Sequence, residues 1–374
     1  MKTQTFTHLL KKLSLTALFF STLLIYAQDE PEKSWFDNVS VSGSIDGYYR
    51  YNITADNRDF IAPGTSFVNR AGFALGMANV ILGYEGEKVG FVADLVYGPR
   101  GEEAVFLSEG SSQIVNQLYV YWNVSKKFKL TFGNFNTYLG YEVISPVGNF
   151  NYSTSYMFSY GPFSHTGLKA DFTLSDKWSA MLAIMNPTDY TESNPFDTYI
   201  VGAQLGYTGD KGSAFLNFRY GNEGEPGEVG PTFQTDLTTG WDVATDFYLG
   251  INATYLSTEP QGDGDASGFY GIALYPQFKT SEAFTIGLRG EYFAQYNGGL
   301  IFDDGAGGLI SPVAFDAEGD GDVIALTLTG SYDIGDLTFK PELRFDSSED
   351  VFLDKDGEVS SSLASFVVGA IYKF

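Results

Sequence analysis

Sixteen strand-like segments run along this chain, and the connections between them alternate strictly between short and long. By composition and period the segments fall at 39–52, 67–86, 88–98, 113–124, 126–137, 164–175, 177–187, 197–208, 212–221, 231–240, 245–257, 267–279, 283–296, 321–333, 336–346 and 362–374. Tight turns such as Gly86-Glu87, Ser125-Lys126 and Gly335-Asp336 follow the even-numbered segments. Long loops follow the odd-numbered ones, at 53–66, 99–112, 138–163, 188–196, 222–230, 258–266, 297–320 and 347–361. Both ends of the set fall on the short-turn side. A soluble sandwich gives no reason for such asymmetry, whereas a transmembrane barrel has short periplasmic turns and longer outer loops. The expected fold is all-β: a closed antiparallel transmembrane β-barrel of sixteen strands.

Alternation within the segments agrees. In 283–296, Phe284, Ile286, Leu288, Tyr292, Ala294 and Tyr296 share one face, opposite Thr285, Gly287, Arg289, Glu291 and Gln295, with Phe293 as the exception. In 336–346, Leu337, Phe339, Leu343 and Phe345 oppose Thr338, Lys340, Glu342, Arg344 and Asp346. Side chains fill a barrel of about eight strands, and sixteen leave a wider interior. The apolar face should therefore meet lipid and the polar face should line water. Lipid cannot satisfy an open sheet edge, so the sheet must close. Trp122, Trp178 and Trp241 lie beside short turns, where an interfacial girdle would put them.

Residues 1–27 read as a secretory signal: Lys2, Lys11 and Lys12 precede an apolar run from Leu13 to Tyr26, with the small Ala27 before a polar stretch. Residues 28–38 would be a short periplasmic segment and 39–374 the barrel. The full chain carries a formal charge of −24; without the three lysines of the leader it is −27. The eight long loops hold 24 Asp or Glu against Arg58, Arg100 and Lys355, so nearly all of this charge gathers at one end. Such acidity argues against binding nucleic acid. There is no Cys, which excludes disulfides, thiolate metal sites and Cys nucleophiles.

The final segment places Phe366, Val368, Ala370, Tyr372 and Phe374 at alternate positions. It resembles the C-terminal strand that bacterial outer-membrane barrels present to their assembly machinery, with Tyr372 and Phe374 as the signal. Further runs resemble one family. They are Val41-Ser-Gly-Ser-Ile-Asp-Gly-Tyr-Tyr-Arg-Tyr-Asn52, Gly90-Phe-Val-Ala-Asp-Leu-Val-Tyr-Gly98, Gln117-Leu-Tyr-Val-Tyr121 and Phe132-Gly-Asn-Phe-Asn-Thr-Tyr-Leu-Gly-Tyr-Glu142, followed by Asn151-Tyr-Ser153 and Pro162-Phe-Ser-His-Thr-Gly167. Together they are similar to the OmpL-like β-barrel porins of Bacteroidetes, most clearly over residues 39–190. The resemblance implies an outer-membrane pore, reached through a cleaved signal peptide, and brings no catalytic residues.

Loop 138–163 is the longest and resembles in position the loop that narrows general diffusion porins. Its Tyr141, Glu142, Asn149, Asn151, Tyr152, Tyr156, Met157 and Tyr160 would form a constriction if it folds inward; the other reading is an external loop packed on itself. The inward face should carry Asp46, Arg50, Asp94, Lys129, Lys169, Asp171, Arg219, Arg289, Glu291, Lys340, Glu342 and Arg344. These could set a transverse field. The spacing favours wall pairing instead, as Lys169 with Asp171, Arg289 with Glu291 and Glu342 with Arg344.

Asp316, Glu318, Asp320 and Asp322 alternate like the start of a Ca²⁺ loop, but its twelfth position is Thr327 rather than Glu. This admits a weak Ca²⁺ site or a solvated acidic surface; no other cofactor is expected. His165 is the one mature His, and Ser153, Ser155 and Ser164 are near it in sequence without a Gly-x-Ser-x-Gly elbow, so a lipid hydrolase is the remotest reading. The expected function is a non-enzymatic porin for small hydrophilic solutes, preferring cations and neutral molecules. The alternative is a plugged barrel that binds partners through its acidic loops. Its surroundings would be outer-membrane lipid, and a homotrimer is common for porins of this size, though no residue marks a trimer face.

Overall fold

In the computed structural model, residues 35–58, 61–303 and 309–374 are described. The expected signal peptide and most of the segment after it lie outside these residues. A 3₁₀ turn at Trp35–Asn38 leads into the first strand.

The strands are β1 Val39–Asn52, β2 Gly72–Glu85, β3 Val89–Tyr97, β4 Val115–Ser125, β5 Phe128–Asn136, β6 Ser164–Thr173, β7 Trp178–Met185, β8 Ile200–Gly209, β9 Gly212–Asn222, β10 Pro231–Ala244, β11 Phe247–Thr258, β12 Ser267–Lys279, β13 Phe284–Tyr296, β14 Phe302–Asp303, β15 Leu309–Ile310, β16 Gly321–Ile334, β17 Leu337–Leu353 and β18 Val359–Lys373. β14 and β15 form a separate two-stranded hairpin within loop 297–320. The other sixteen make one closed barrel in sequential order, with β18 returning to β1. No helix among the described residues is long and apolar enough to cross a membrane.

Closure pairs Ser44 with Lys373 through Asn52 with Ser365, antiparallel. Gly43 and Phe374 exchange two backbone hydrogen bonds, each 3.1 Å. Tyr372 and Phe374 point outward and are about half exposed. The period-two apolar residues cover the outer wall: Phe73 is 91% exposed and Leu75 73%, values expected of a wall covered by lipid or by another subunit. Trp122 and Trp178 are exposed on this wall at its short-turn end; Tyr207 stacks with Trp241 and meets Trp178 edge-on. At Gly335, φ is +62°, the left-handed value that a two-residue hairpin needs and that glycine supplies without strain.

Two connections differ from the expectation. The stretch 347–361 is an extension of the sheet rather than a loop: β17 runs on to Leu353, and Phe352 and Leu353 pair with Ser360 and Val359. Acidic residues in 347–358 masked a strand pattern that the pairing partner completes. At the other site, β2 starts at Gly72 instead of 67, because Phe67 and Val68 adopt φ of +66° and +53° and turn into the barrel. There they join a buried cluster with Tyr48, Phe158 and Phe163. The burial offsets about 1–3 kcal/mol of backbone strain per residue.

The interior is packed rather than simply wet. Inward-facing Val367, Ile371, Phe293, Val323 and Ala325 are all buried. The sequence exception, Phe293, packs against Phe269, Tyr156 and Tyr160 with ring centroids 5.3–5.8 Å apart. These apolar inward positions are covered by the loop between β5 and β6.

Candidate functional site: the loop within the barrel

The loop between β5 and β6 does not stay outside. It travels along the inner wall from β8 round to β1, and its only helical turn is α2, Tyr156–Tyr160. Early in the loop, the Tyr138 hydroxyl donates to the Phe218 carbonyl at 2.8 Å, and Gly140 N–H to Asp236 at 2.9 Å. The Tyr141 and Tyr248 hydroxyls pair at 2.9 Å, and the Tyr141 ring stacks on Tyr275 at 4.2 Å. Lys340 Nζ then donates to the carbonyls of Pro146, at 2.9 Å, and Asn149. Asn151 donates to Thr329 at 2.6 Å. The Tyr152 hydroxyl reaches Asp46 on β1 at 2.5 Å.

Wall carboxylates hold the loop by its backbone. Glu342 accepts from Tyr152 N–H at 2.5 Å and Ser153 N–H at 3.0 Å. Glu291 accepts from Tyr156 N–H at 3.0 Å and Met157 N–H at 2.8 Å, at the start of α2. Ser155 caps that turn by accepting from Phe158 N–H at 3.1 Å. Charged acceptors make the stronger hydrogen bonds, and here each saturates donors that a non-helical loop would otherwise bury unpaired.

The side chains find space because the wall lacks Cβ atoms where they press. A Cβ on Gly369 would lie 2.3 Å from the Tyr152 ring, one on Gly250 2.4 Å from Tyr141 Oη, and one on Gly202 2.2 Å from Tyr138 Oη. At Gly287 the obstacle would be Phe150 at 2.5 Å, and at Gly271 Met157 at 2.8 Å. Five glycines on five different strands thus form sockets for five loop side chains. Burial pushes the phenols of Tyr138, Tyr141, Tyr152, Tyr156 and Tyr160 up, which keeps them neutral.

The expected inward charges all lie on the inner face, but their partners differ from the wall pairs the spacing favours. Lys169 and Lys129 do approach Asp171, at 3.8 and 3.9 Å, and this trio is the most open of the set. Arg289, however, pairs with Glu142 of the loop at 2.6 Å rather than with Glu291. Arg344 pairs with Asp346 at 2.8 Å and donates to the Thr154 carbonyl at 2.8 Å, leaving Glu342 to the loop. Spacing along a strand does not decide the partner: Arg344 meets Asp346 two residues away, whereas Arg289 passes over Glu291 for a carboxylate of the loop. Arg50 donates to Asn52 at 2.9 Å and to the Val68 carbonyl at 3.3 Å. Arg219 is held by Gln234 and Glu223.

Several residues of this interior escape a strand-by-strand reading. Arg100, in the short helix α1 (Pro99–Ala104), is buried rather than part of the outer charge. It donates to the carbonyls of Ile144 and Tyr152 and lies over the Phe67 and Tyr152 rings. Two carboxylates are held by amides instead of cations. Asp94 accepts from Asn79 at 3.1 Å and Asn116 at 2.6 Å; Asp236 accepts from Asn217 at 2.9 Å and Asn252 at 2.6 Å. Each Asn-Asp-Asn succession spans three neighbouring strands and is joined by their register.

His165 is buried, with Nε2 3.0 Å from the Thr137 hydroxyl and its ring between Phe135 and Tyr138. None of its hydrogen bonds goes to a serine, so no Ser–His pair is assembled. Asp316 and Asp320 turn their carboxylates onto backbone N–H groups of Glu318, Asp320 and Asn297. Among the described residues no three His, Asp or Glu side chains converge as a metal site.

Comparison with known proteins extends this geometry. The family model described as "Putative beta-barrel porin-2, OmpL-like" matches residues 38–374. No curated protein matches the chain. Among solved structures, an anion-selective porin from Comamonas acidovorans is similar at 11% identity, with 90% of this chain and 99% of that chain covered and a TM-score of 0.58. Outer-membrane OmpT of Vibrio cholerae is similar at 11% identity, covering 90% and 97%, with a TM-score of 0.55. OprB of Pseudomonas putida gives 12% identity, 90% and 94%, and 0.55. At these identities the likeness is one of fold.

Proposed function

This chain belongs to the OmpL-like β-barrel porin family, an outer-membrane porin, and from that premise we propose that it passes small hydrophilic solutes by passive diffusion, favouring cations and neutral molecules over anions. The observation behind the proposal is the loop 137–163, which lies inside the barrel and is held there by wall charges. A narrowed passage beside such a loop selects by size. The acidic outer loops add the sign: their field concentrates cations at the mouth and repels anions. The anion selectivity of the Comamonas porin is that protein's own.

Single-channel conductance of the refolded protein in a planar bilayer, with a salt gradient, tests this. Steady conductance with a cation-selective reversal potential is expected. A folded, heat-modifiable protein that stays silent would sink the pore reading. The second reading, a filled barrel presenting acidic loops to partners, is favoured by one specific observation: each of the sixteen barrel strands carries an inward residue that is buried. Silence in the bilayer would favour it. A trimer form is recorded for Vibrio cholerae OmpT, so a homotrimer is the first assembly to look for, by cross-linking in the membrane.

A further inference from the structure

Outside the loop and on its outer side lies a cavity of about 620 Å³ that the description above does not use. Its size is in the range of small-molecule sites. Five outer loops and the tops of β9, β11 and β12 converge on it. One side is apolar, formed by Leu256, Phe269, Leu300 and Phe302. Phe269 and Leu300 are buried there, but Phe302 is 48% exposed, an aromatic ring left facing water at a mouth otherwise rich in acids.

The rest of the lining is largely polar and acidic. Asp189 and Glu223 meet the guanidinium of Arg219, while the neighbours of Glu103 are Arg100 and Arg70. Arg219 is already committed: it donates to Gln234 at 2.5 Å, to Thr188 at 2.6 Å and to Glu223. Asp189 accepts from Phe163 N–H and Ser164 N–H, both at 2.8 Å and both on the same oxygen, Oδ1. It has no cation of its own within ion-pair distance. A partly buried carboxylate in that position gains when a positive group joins it. Asp189 also sits at φ +65°, a left-handed conformation that fixes its carboxyl over the start of β6.

An apolar wall facing an under-neutralised carboxylate calls for one chemistry. We propose that this cavity binds small organic monocations, with the ammonium group beside Asp189 and the apolar body against Phe302, Leu300, Leu256 and Phe269. The proposal rests on the porin reading insofar as it names a class of solute collected at the mouth, but binding can be measured without transport.

The test is calorimetric titration of the folded protein in detergent, with a micelle blank, using three probes that differ in one group: phenethylammonium, 2-phenylethanol and 3-phenylpropionate. The ammonium is expected to bind about tenfold tighter than the neutral alcohol, the gain of one charge-assisted hydrogen bond, and the carboxylate weakest. Asp189→Asn, which keeps an acceptor for the two N–H groups, should erase the difference between ammonium and alcohol. Phe302→Ser should weaken both. Equal binding of ammonium and alcohol, preference for the carboxylate, or no binding of any probe would overturn the proposal. If Asp189→Asn fails to fold, the three-probe ranking on the native chain and the Phe302→Ser variant still decide. Conductance without this ranking leaves the pore reading standing and removes the site; the ranking without conductance does the reverse.

Discussion

Glu142 and Arg289 form an ion pair with 2.6 Å between oxygen and nitrogen, both side chains almost fully buried, joining the lumenal loop to β13 across 147 residues of sequence. Such a pair adds little over an apolar contact when intact, but breaking it strands a buried charge. Glu142→Gln should therefore lower stability by about 3–5 kcal/mol, softened by the Ser153 carbonyl and Thr327 hydroxyl that Arg289 also touches. Urea unfolding reads the loss, and noisier, larger single-channel currents should accompany it. Unchanged stability would mean that the pair does not fix the loop.

Gly369→Val tests the sockets. The added Cβ would lie 2.3 Å from the Tyr152 ring, so the ring must leave or the strand must bend. Overpacking of this kind costs about 1–3 kcal/mol. The expected outcome is a protein that still forms a barrel, melts lower and conducts differently. A variant identical to the native chain in both respects would show that Tyr152 does not occupy that site in the membrane.

Converting Glu349, Asp350, Asp354, Asp356 and Glu358 to amides removes five charges from the β17–β18 extension. Cation preference should fall in dilute salt, seen as a reversal potential nearer zero. At about 1 M salt, where the screening length is ~3 Å, native and variant should converge. A difference that persists at high salt would place the selectivity deeper, at the loop.

Asp189 makes stability depend on pH. Burial raises its carboxyl from 3.8 to about 7, with Glu223 adding to the rise and the two N–H donors and Arg219 opposing it. A raised folded value means that the group's contribution to stability is complete below about pH 3.8 and is lost as pH climbs through about 7. The native protein should melt lower at pH 8 than at pH 5, and Asp189→Asn should lose that part of the slope. Parallel melting profiles for the two would exclude the residue as the source.

Strand number, order and facing were legible because each rests on a local period of two and on the lengths of the connections. For loop 138–163 the sequence left two readings open, folded inward or packed on itself outside, with the inward one resting on its position after the fifth strand. The charge partners were not legible. Arg289 has Glu291 two residues away and yet chooses Glu142, a choice fixed by the path of a loop that period cannot trace. Phe293 looked like a flaw in an otherwise polar face and is the surface on which Tyr156 and Tyr160 rest. The inward glycines carried a signal that alternation discards: a missing side chain counts as neither polar nor apolar, although here it marks where something else must fit.

The glycine sockets also limit how this molecule can be rebuilt. Each vacancy is cut for one tenant, and the five sit on separate strands, so the loop cannot be exchanged as a cartridge between related barrels. A graft that changes the aromatics would leave empty niches, and one that keeps them in a wall bearing alanines would collide. Loop and wall have to be redesigned together, as a key and its lock.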